Sequence, residues 1–491
     1  MINKMSFSDI KAELLQKGAL FVDNDFPANS QSLCKHHRQD QVIWKRPAMI
    51  VKSGNPHFVV KSSSRFDFDQ GALGDCWFIA AAATLASSPQ DNFRKVVPVN
   101  QSFDDGSYAG IFLFRFWSYG AWRDVVIDDY LPCNEAGLLY CRNREEPNEF
   151  WAALLEKAFA KFYGSYQRLE GGFIHYALLT LTGGITEVVD LDSTSLPSPH
   201  RLYHMLARSH AMNAFIGGAI FKPKGSGARE IKKKNGLFMG HAYSVTGFQQ
   251  VMFESQTVYL LRVRNPWGKG EWRGMWSDRW LQRAHFSEEQ RRLLNVKGLR
   301  HDGEFWISIE DFMENFNQIQ MCHLEPDSML SEVVSDMKQD DWKLVSYHDS
   351  WTETDPPQTG CCFSSTNLAS QFPNPQFYFL VKQPTQGRSA TVVISLMEKE
   401  VRQSLQPQIY INFFLYKLQS HLPERITHNI GHRVKLVGRG SKQYAFFKEI
   451  SARFTLDPGC YIIVPETFRD DAEANFLLRI FSKGTVESGK I

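Results

Sequence analysis

Nowhere in the 491-residue sequence does an uncharged apolar run reach the roughly 18–20 residues that a membrane-spanning helix requires. The opening segment, "MINKMSFSDIKAELLQKG", lacks the continuous apolar core of a secretory signal and reads as an amphipathic helix near Phe7–Lys17. Cysteine is scarce: eight residues, with no C-x-x-C pair and no zinc spacing, and with the adjacent Cys361 and Cys362 poorly placed to bond each other. Without an export signal, that usage points to free thiols in the reducing cytoplasm. Neither sign of charge dominates: 55 Lys and Arg stand against 53 Asp and Glu, a net +2, which gives nucleic-acid binding no electrostatic basis. A contiguous D-x-D-x-D-G calcium loop, short-period repeats and low-complexity tracts are missing as well.

What is present suits a globular protein of two to four folding units, since domains mostly run about 100–200 residues. Hydrophobic residues make up 43% and include 37 Phe and 12 Trp, enough for several cores. A helix and linker over 1–40 precede two lobes, 41–183 and 184–325, divided at Gly183–Gly184 in "LTGGIT". The first lobe contains an apolar helix after Cys76, two strands turning at "SYGA", and a helix in which Phe150, Leu154, Ala158 and Phe162 recur. The second has strands at "GHAYSVTGF" and "VYLLRVRNPWG", the latter delivering Asn265 at the end of an apolar face. "IKKKNG" reads as a solvated charged loop. Over 326–491, short runs such as "ATVVISLM", "QIYINFFLY" and "NFLLRIFS", separated by turns like "LDPG", predict a β-sandwich.

Chemistry centres on "QGALGDCWFIAAAATLA", Gln70–Ala86. A cysteine opening a helix sits where exposed N–H groups and the helix dipole favour a thiolate, the form that attacks carbonyl carbon. Gly71 and Gly74 permit a tight turn and the close approach of a substrate backbone, and Gln70 could donate to an oxyanion together with the Cys76 N–H. Most single cysteines before apolar helices are packing residues, so this one needs a base. His241, between a glycine and a strand, and Asn265, able to fix its tautomer, are candidates among fifteen histidines. Periodicity does not choose between a structural and a catalytic His241.

"QGALGDCWF", "GHAYSVTG" and "RNPWGKGEWRGMWSD" resemble the cysteine, histidine and asparagine boxes of the calpains, and occur in that family's order. "VVPVNQSF", "VVIDDYLP", "EFWAALLEKAFAK" and "DGEFWIS" are similar between and beyond them, so the resemblance spans roughly 40–325, more weakly thereafter. It implies an α+β fold: a two-lobed papain-like protease core followed by an all-β, C2-like sandwich. It also implies roles: Cys76 as nucleophile, His241 as general base and acid, Asn265 as its orienting partner, Gln70 as oxyanion donor, and Trp267 as the indole screening the His–Asn bond. The activity implied is calcium-dependent cysteine endopeptidase, cutting protein substrates through an acyl-enzyme.

Two calcium sites follow from the same resemblance. Asp67 and Glu149, with the carbonyls of Val60 and Ser62, match the first-lobe ligands, although relatives commonly have glycine where Ser62 stands. Glu271, Asp278, Asp302 and Glu304, with the Arg300 carbonyl, match those of the second lobe; Asp302 and Glu304 flank one glycine, and an extended loop would aim both at one ion. With no EF-hand module in the sequence, pairing with a small EF-hand subunit is not expected. By analogy alone, the sandwich leaves room for a membrane or protein partner. Two other classes compete: a calcium-responsive scaffold with little proteolysis, and a transglutaminase-like acyl transferase, against which Asn265 argues because that chemistry uses an aspartate.

Overall fold

In a computed structural model of the protein, the described residues are 6–33, 42–60, 62–104, 106–194, 196–223, 225–226, 230–296, 301–330, 342–352, 374–382, 389–399, 409–420, 422–427, 433–442, 445, 447–469, 472–483 and 487–491. Arg300, Cys361 and Cys362 lie outside them. The chain forms two compact units, one of 1–184, 188–324 and 328–330, the other of 185–187, 325–327 and 331–491.

In the first unit, the nucleophile lobe is organised on the helix Cys76–Ala86, in which ten of eleven residues are buried. Alanine has the highest helix propensity, and the run Ala80–Ala83 has little bulk, so the helix packs closely against helix Ile174–Thr182. Phe78 stacks on Phe159 of helix Trp151–Tyr163 with ring centroids 4.3 Å apart, locking two apolar faces together. The expected hairpin is formed by Ile111–Ser118 and Ala121–Asp128; Tyr119 (φ 49°) and Gly120 (φ 89°) supply the two left-handed residues of its turn. Gly183 (φ 72°) ends helix Ile174–Thr182, and a side chain on Gly184 would stand 2.6 Å from the Cys322 sulfur. The glycine pair between the lobes is therefore a tightly packed crossing.

The second lobe is built on a six-stranded sheet in the order Glu304–Ser308, Gln256–Arg264, His241–Phe253, Phe215–Ile220, Gln318–His323, Ile185–Asp190. Tyr243, Val245, Leu261, Val263 and Phe305 enter one core with Leu202, Leu206 and Phe312. Val251, Leu260 and Trp306 enter another with Trp276 and Leu281, so both sheet faces are covered. "IKKKNG" is partly ordered: Ile231–Lys232 pairs with Phe238–Met239, and Lys233 Nζ donates to Asn315 Oδ1 at 2.8 Å.

The other unit is a β-sandwich, as its sequence texture predicts. One sheet has the order Trp342–Trp351, Ala474–Lys483, Ala390–Glu398, Glu449–Leu456; the other is Val434–Arg439, Ile411–Leu418, Gly459–Thr467, Phe377–Val381, Glu487–Lys490. Val392, Ile394 and Leu396 meet Phe413, Leu415 and Ile463 between the sheets, the period-two pattern of inward-facing residues. Phe414, Tyr416 and Ile462 point the other way and are covered by Ile426, which is why these strands read as unbroken apolar runs. No helix among the described residues is long and apolar enough to cross a membrane.

Candidate active site

Cys76 is the first residue of its helix and is 8% exposed. The Asp75 carbonyl accepts from Phe78 N at 2.9 Å and Ile79 N at 3.0 Å, so the first turn is closed by backbone. Beneath it lies Glu156, whose carboxyl accepts from Cys141 N at 3.2 and 3.1 Å. Burial, reinforced by the neighbouring Asp75 charge and a side-chain hydrogen bond with it, pushes Glu156 well above the ordinary carboxylate range. A neutral Glu156 spares the nucleophile helix a second buried negative charge.

Across the cleft, His241 opens the strand His241–Phe253 and is buried. Its Nε2 lies 2.8 Å from Asn265 Oδ1, which also accepts from Trp267 N at 3.0 Å, while Asn265 Nδ2 donates to Gly270 O at 3.0 Å. These contacts fix the amide so that its oxygen faces the imidazole, and Nε2 carries a hydrogen. Gly270 (φ 83°) is needed there, because a side chain would press on Phe238 at 2.8 Å and on Asn265 Nδ2 at 3.2 Å. The Trp267 indole lies 4.8 Å from the imidazole centroid and 4.4 Å from Phe238, covering the His–Asn bond with apolar surface.

Nδ1 of His241 is 3.0 Å from Glu230 Oε1. The Cys76 sulfur, a Glu230 oxygen and a His241 ring nitrogen all lie within 4.8 Å of one another. Burial by itself lowers the imidazole pKa; the charge and hydrogen bond of Cys76, with those of Glu230, outweigh it and raise the value to about 10. The arrangement therefore favours an imidazolium facing negative partners. Glu230 was not singled out from the sequence: it stands in a charged loop eleven residues before His241, with no periodicity to mark it.

Gln70 is buried beside this turn, and its Nε2 donates to Leu73 O at 2.6 Å, leaving its second hydrogen available. Gly71 serves another purpose than the expected approach of substrate. A side chain there would stand 2.3 Å from Tyr140 O, so the chain's own backbone occupies that space. Gly74 does line the cleft, a cavity of about 860 Å³ that also includes Cys76, Gly171, Gly172, Glu230 and His241.

The two lobes are joined by specific polar contacts. Glu304 pairs with Arg65 of the first lobe and Arg262 of its own, each at 2.8 Å, and accepts from Thr246 Oγ1 at 2.8 Å. Arg264 Nη2 donates to Phe68 O at 3.0 Å, and Ile174 N to Gln320 Oε1 at 2.8 Å. Gly303 adopts φ 83°, and one Glu304 oxygen lies beside Arg65 while the other lies beside Arg262.

The remaining acidic residues form two groups. Asp67 and Glu149 are both buried; burial first, then the Glu149 charge, raises Asp67 to about 7. Glu149 accepts from Val60 N and Asn143 Nδ2, and Ser62 N donates to Val60 O at 2.8 Å. In the second lobe, burial and then the charges of Glu271 and Asp302 raise Asp278 to about 7, and Asp278 Oδ1 has no hydrogen-bond partner among the described residues. Buried like-charged oxygens with unspent acceptor capacity fit a hard divalent cation.

Comparison with known proteins agrees with this geometry. Residues 21–323 match the family described as "Calpain family cysteine protease", and residues 347–481 match "Calpain large subunit, domain III". The chain is 37% identical to calpain-9 of Homo sapiens over 97% of its own length and 67% of that protein. It is 38% identical to calpain-A of Drosophila melanogaster, covering 97% of this chain and 57% of that one. With the calpain-1 catalytic subunit of Mus musculus the identity is 36%, over 97% and 66%. A thiol and an imidazole facing each other from two lobes, in a chain matched almost end to end by these proteins, make it a member of the calpain family of cysteine proteases, with a domain III sandwich following the protease core.

Proposed function

We propose that this protein is a calcium-dependent cysteine endopeptidase of the cytoplasm that makes limited cuts in protein substrates. The observation carrying the reading is the grouping of Cys76 Sγ and a His241 ring nitrogen within 4.8 Å, with His241 Nε2 already given to Asn265. Nδ1 is thus the ring atom left for proton traffic with the thiol. The Cys76 thiolate attacks the peptide carbonyl carbon, and the carbonyl electron pair moves onto oxygen as an oxyanion. The Cys76 N–H and the second Gln70 amide hydrogen serve as its donors. As the intermediate collapses, the C–N bond breaks and His241 gives its Nδ1 proton to the leaving amine. His241 then takes a proton from water, whose oxygen attacks the thioester and frees the acid and the thiolate.

Gly171 and Gly172 line the cleft, and backbone there suits an extended peptide bound through main-chain hydrogen bonds. Glu230 must leave Nδ1 before that proton can travel. Calcium would be held by Asp67 and Glu149 with the Val60 and Ser62 carbonyls, and by Glu271, Asp278, Asp302 and Glu304. Such an ion would supply positive charge offsetting repulsion among the buried carboxylates, and would favour whichever lobe arrangement binds it more tightly. Five free, buried thiols, Cys76, Cys133, Cys141, Cys322 and Cys460, support a reducing location.

Digestion of casein across a calcium titration tests this. Cleavage should appear with calcium, stop on chelation, and be absent from Cys76→Ser at every concentration. Full activity in excess chelator overturns the calcium requirement, and proteolysis by Cys76→Ser overturns the nucleophile.

A further inference from the structure

Cys76, Glu230 and His241 present a thiol sulfur, a carboxylate oxygen and an imidazole nitrogen within 4.8 Å of one another, and all three line one cleft. From this geometry we infer a binding site for a divalent cation of the zinc class, distinct from the two acidic clusters, that would shut the cleft by occupying its nucleophile. Zinc takes sulfur at about 2.3 Å and nitrogen or oxygen at about 2.0–2.2 Å, which sets tetrahedral donors roughly 3.2–3.6 Å apart. Glu230 Oε1 and His241 Nδ1 are already 3.0 Å apart. The Cys76 sulfur lies within 4.8 Å of both, and its approach to a shared ion falls within the reach of side-chain torsions.

The outer shell is also in place. A metal-bound histidine ordinarily donates its other ring N–H to a fixed oxygen, and His241 Nε2 has Asn265 Oδ1 at 2.8 Å. That contact leaves Nδ1 as the ligand. The fourth position opens toward the cavity, where a water completes the tetrahedron. Thiolate and imidazole donors select zinc and its neighbours over calcium or magnesium, whereas the oxygen-only groups around Asp67 and Asp278 select the opposite way. The two classes of cation thus have opposing consequences in one protein. Zinc would also bridge the lobes, since Cys76 comes from the first lobe and Glu230 and His241 from the second.

The test measures binding and does not depend on whether the protein cleaves peptide. The full chain, in calcium-free buffer, is titrated with zinc chloride against a chromophoric chelator and, separately, with cobalt(II). One zinc should bind to this site, and cobalt should show thiolate-to-metal charge-transfer absorption that vanishes in Cys76→Ala. Glu230→Gln should weaken zinc by about tenfold or more, and Glu230→Asp by less. Equal zinc affinity in Glu230→Gln, or a charge-transfer band surviving in Cys76→Ala, overturns the three-residue site. On the wild-type protein alone, zinc should slow alkylation of Cys76 by iodoacetamide, read by peptide mass mapping; an unchanged rate also overturns the proposal.

Discussion

Cys76 stands on a helix with ten of eleven residues buried, whereas His241 is held at the start of a strand by Asn265, Trp267 and Phe238, with Glu230 at its free nitrogen. Packing holds the sulfur: its helix lies against Phe159 and helix Ile174–Thr182. Directional bonds hold the imidazole, and one of its partners, Glu230, comes from a loop. One half of the candidate site is thus placed by packing and the other by directional bonds. The contrast makes different mutations fail in different ways.

The largest effect is expected on the packed side. Phe78→Ala removes a fully buried ring and its stacking on Phe159, and should destabilise the protease core by about 3–5 kcal/mol, measured by urea unfolding. A cost below about 1 kcal/mol would mean that the helix is not anchored by packing. On the directional side, Asn265→Ala should leave the fold largely intact and lower kcat roughly 10²-fold or more, with KM little changed, because the ring loses its fixed tautomer. Wild-type turnover in that variant would show that Trp267 and Phe238 orient the imidazole unaided.

The smallest effect concerns the floor of the nucleophile helix. Glu156 has a raised pKa in the folded protein, so it keeps a proton that the unfolded chain releases above about pH 4.5. The native state then binds more protons than the unfolded state, and stability falls as pH rises through that window, by at most about 1.4 kcal/mol per pH unit. Glu156→Gln should flatten this dependence and be the more stable protein at alkaline pH, read from thermal unfolding at several pH values. An unchanged slope would assign the dependence to other groups.

Much of the fold was legible because its signals are local. The capping box of Ser6 and Asp9 frames the helix Phe7–Lys17, and the turn at Tyr119–Gly120 joins two strongly β-forming runs. The candidate site was legible only as separate boxes, through the resemblance of the stretches holding Cys76, His241 and Asn265 to those of the calpains. Three features were not. Glu230 contacts His241 through a loop whose path has no periodic signature. Gly71 faces Tyr140 O, a neighbour 69 residues away in sequence. Glu304 pairs with Arg65, 239 residues away, a partner no local pattern announces.

Patterning was enough to predict a sandwich, and the resemblance of its ordered motifs to the calpain boxes was enough to point to a protease core and to a candidate thiol. Which atoms meet was decided only by the folded chain: the nitrogen of His241 that faces the sulfur, the carboxylate that shares it, and the arginines that claim Glu304. The reason is that backbone propensity and apolar periodicity act over a few residues, while charge pairing and close approach depend on distances between segments that only folding brings together.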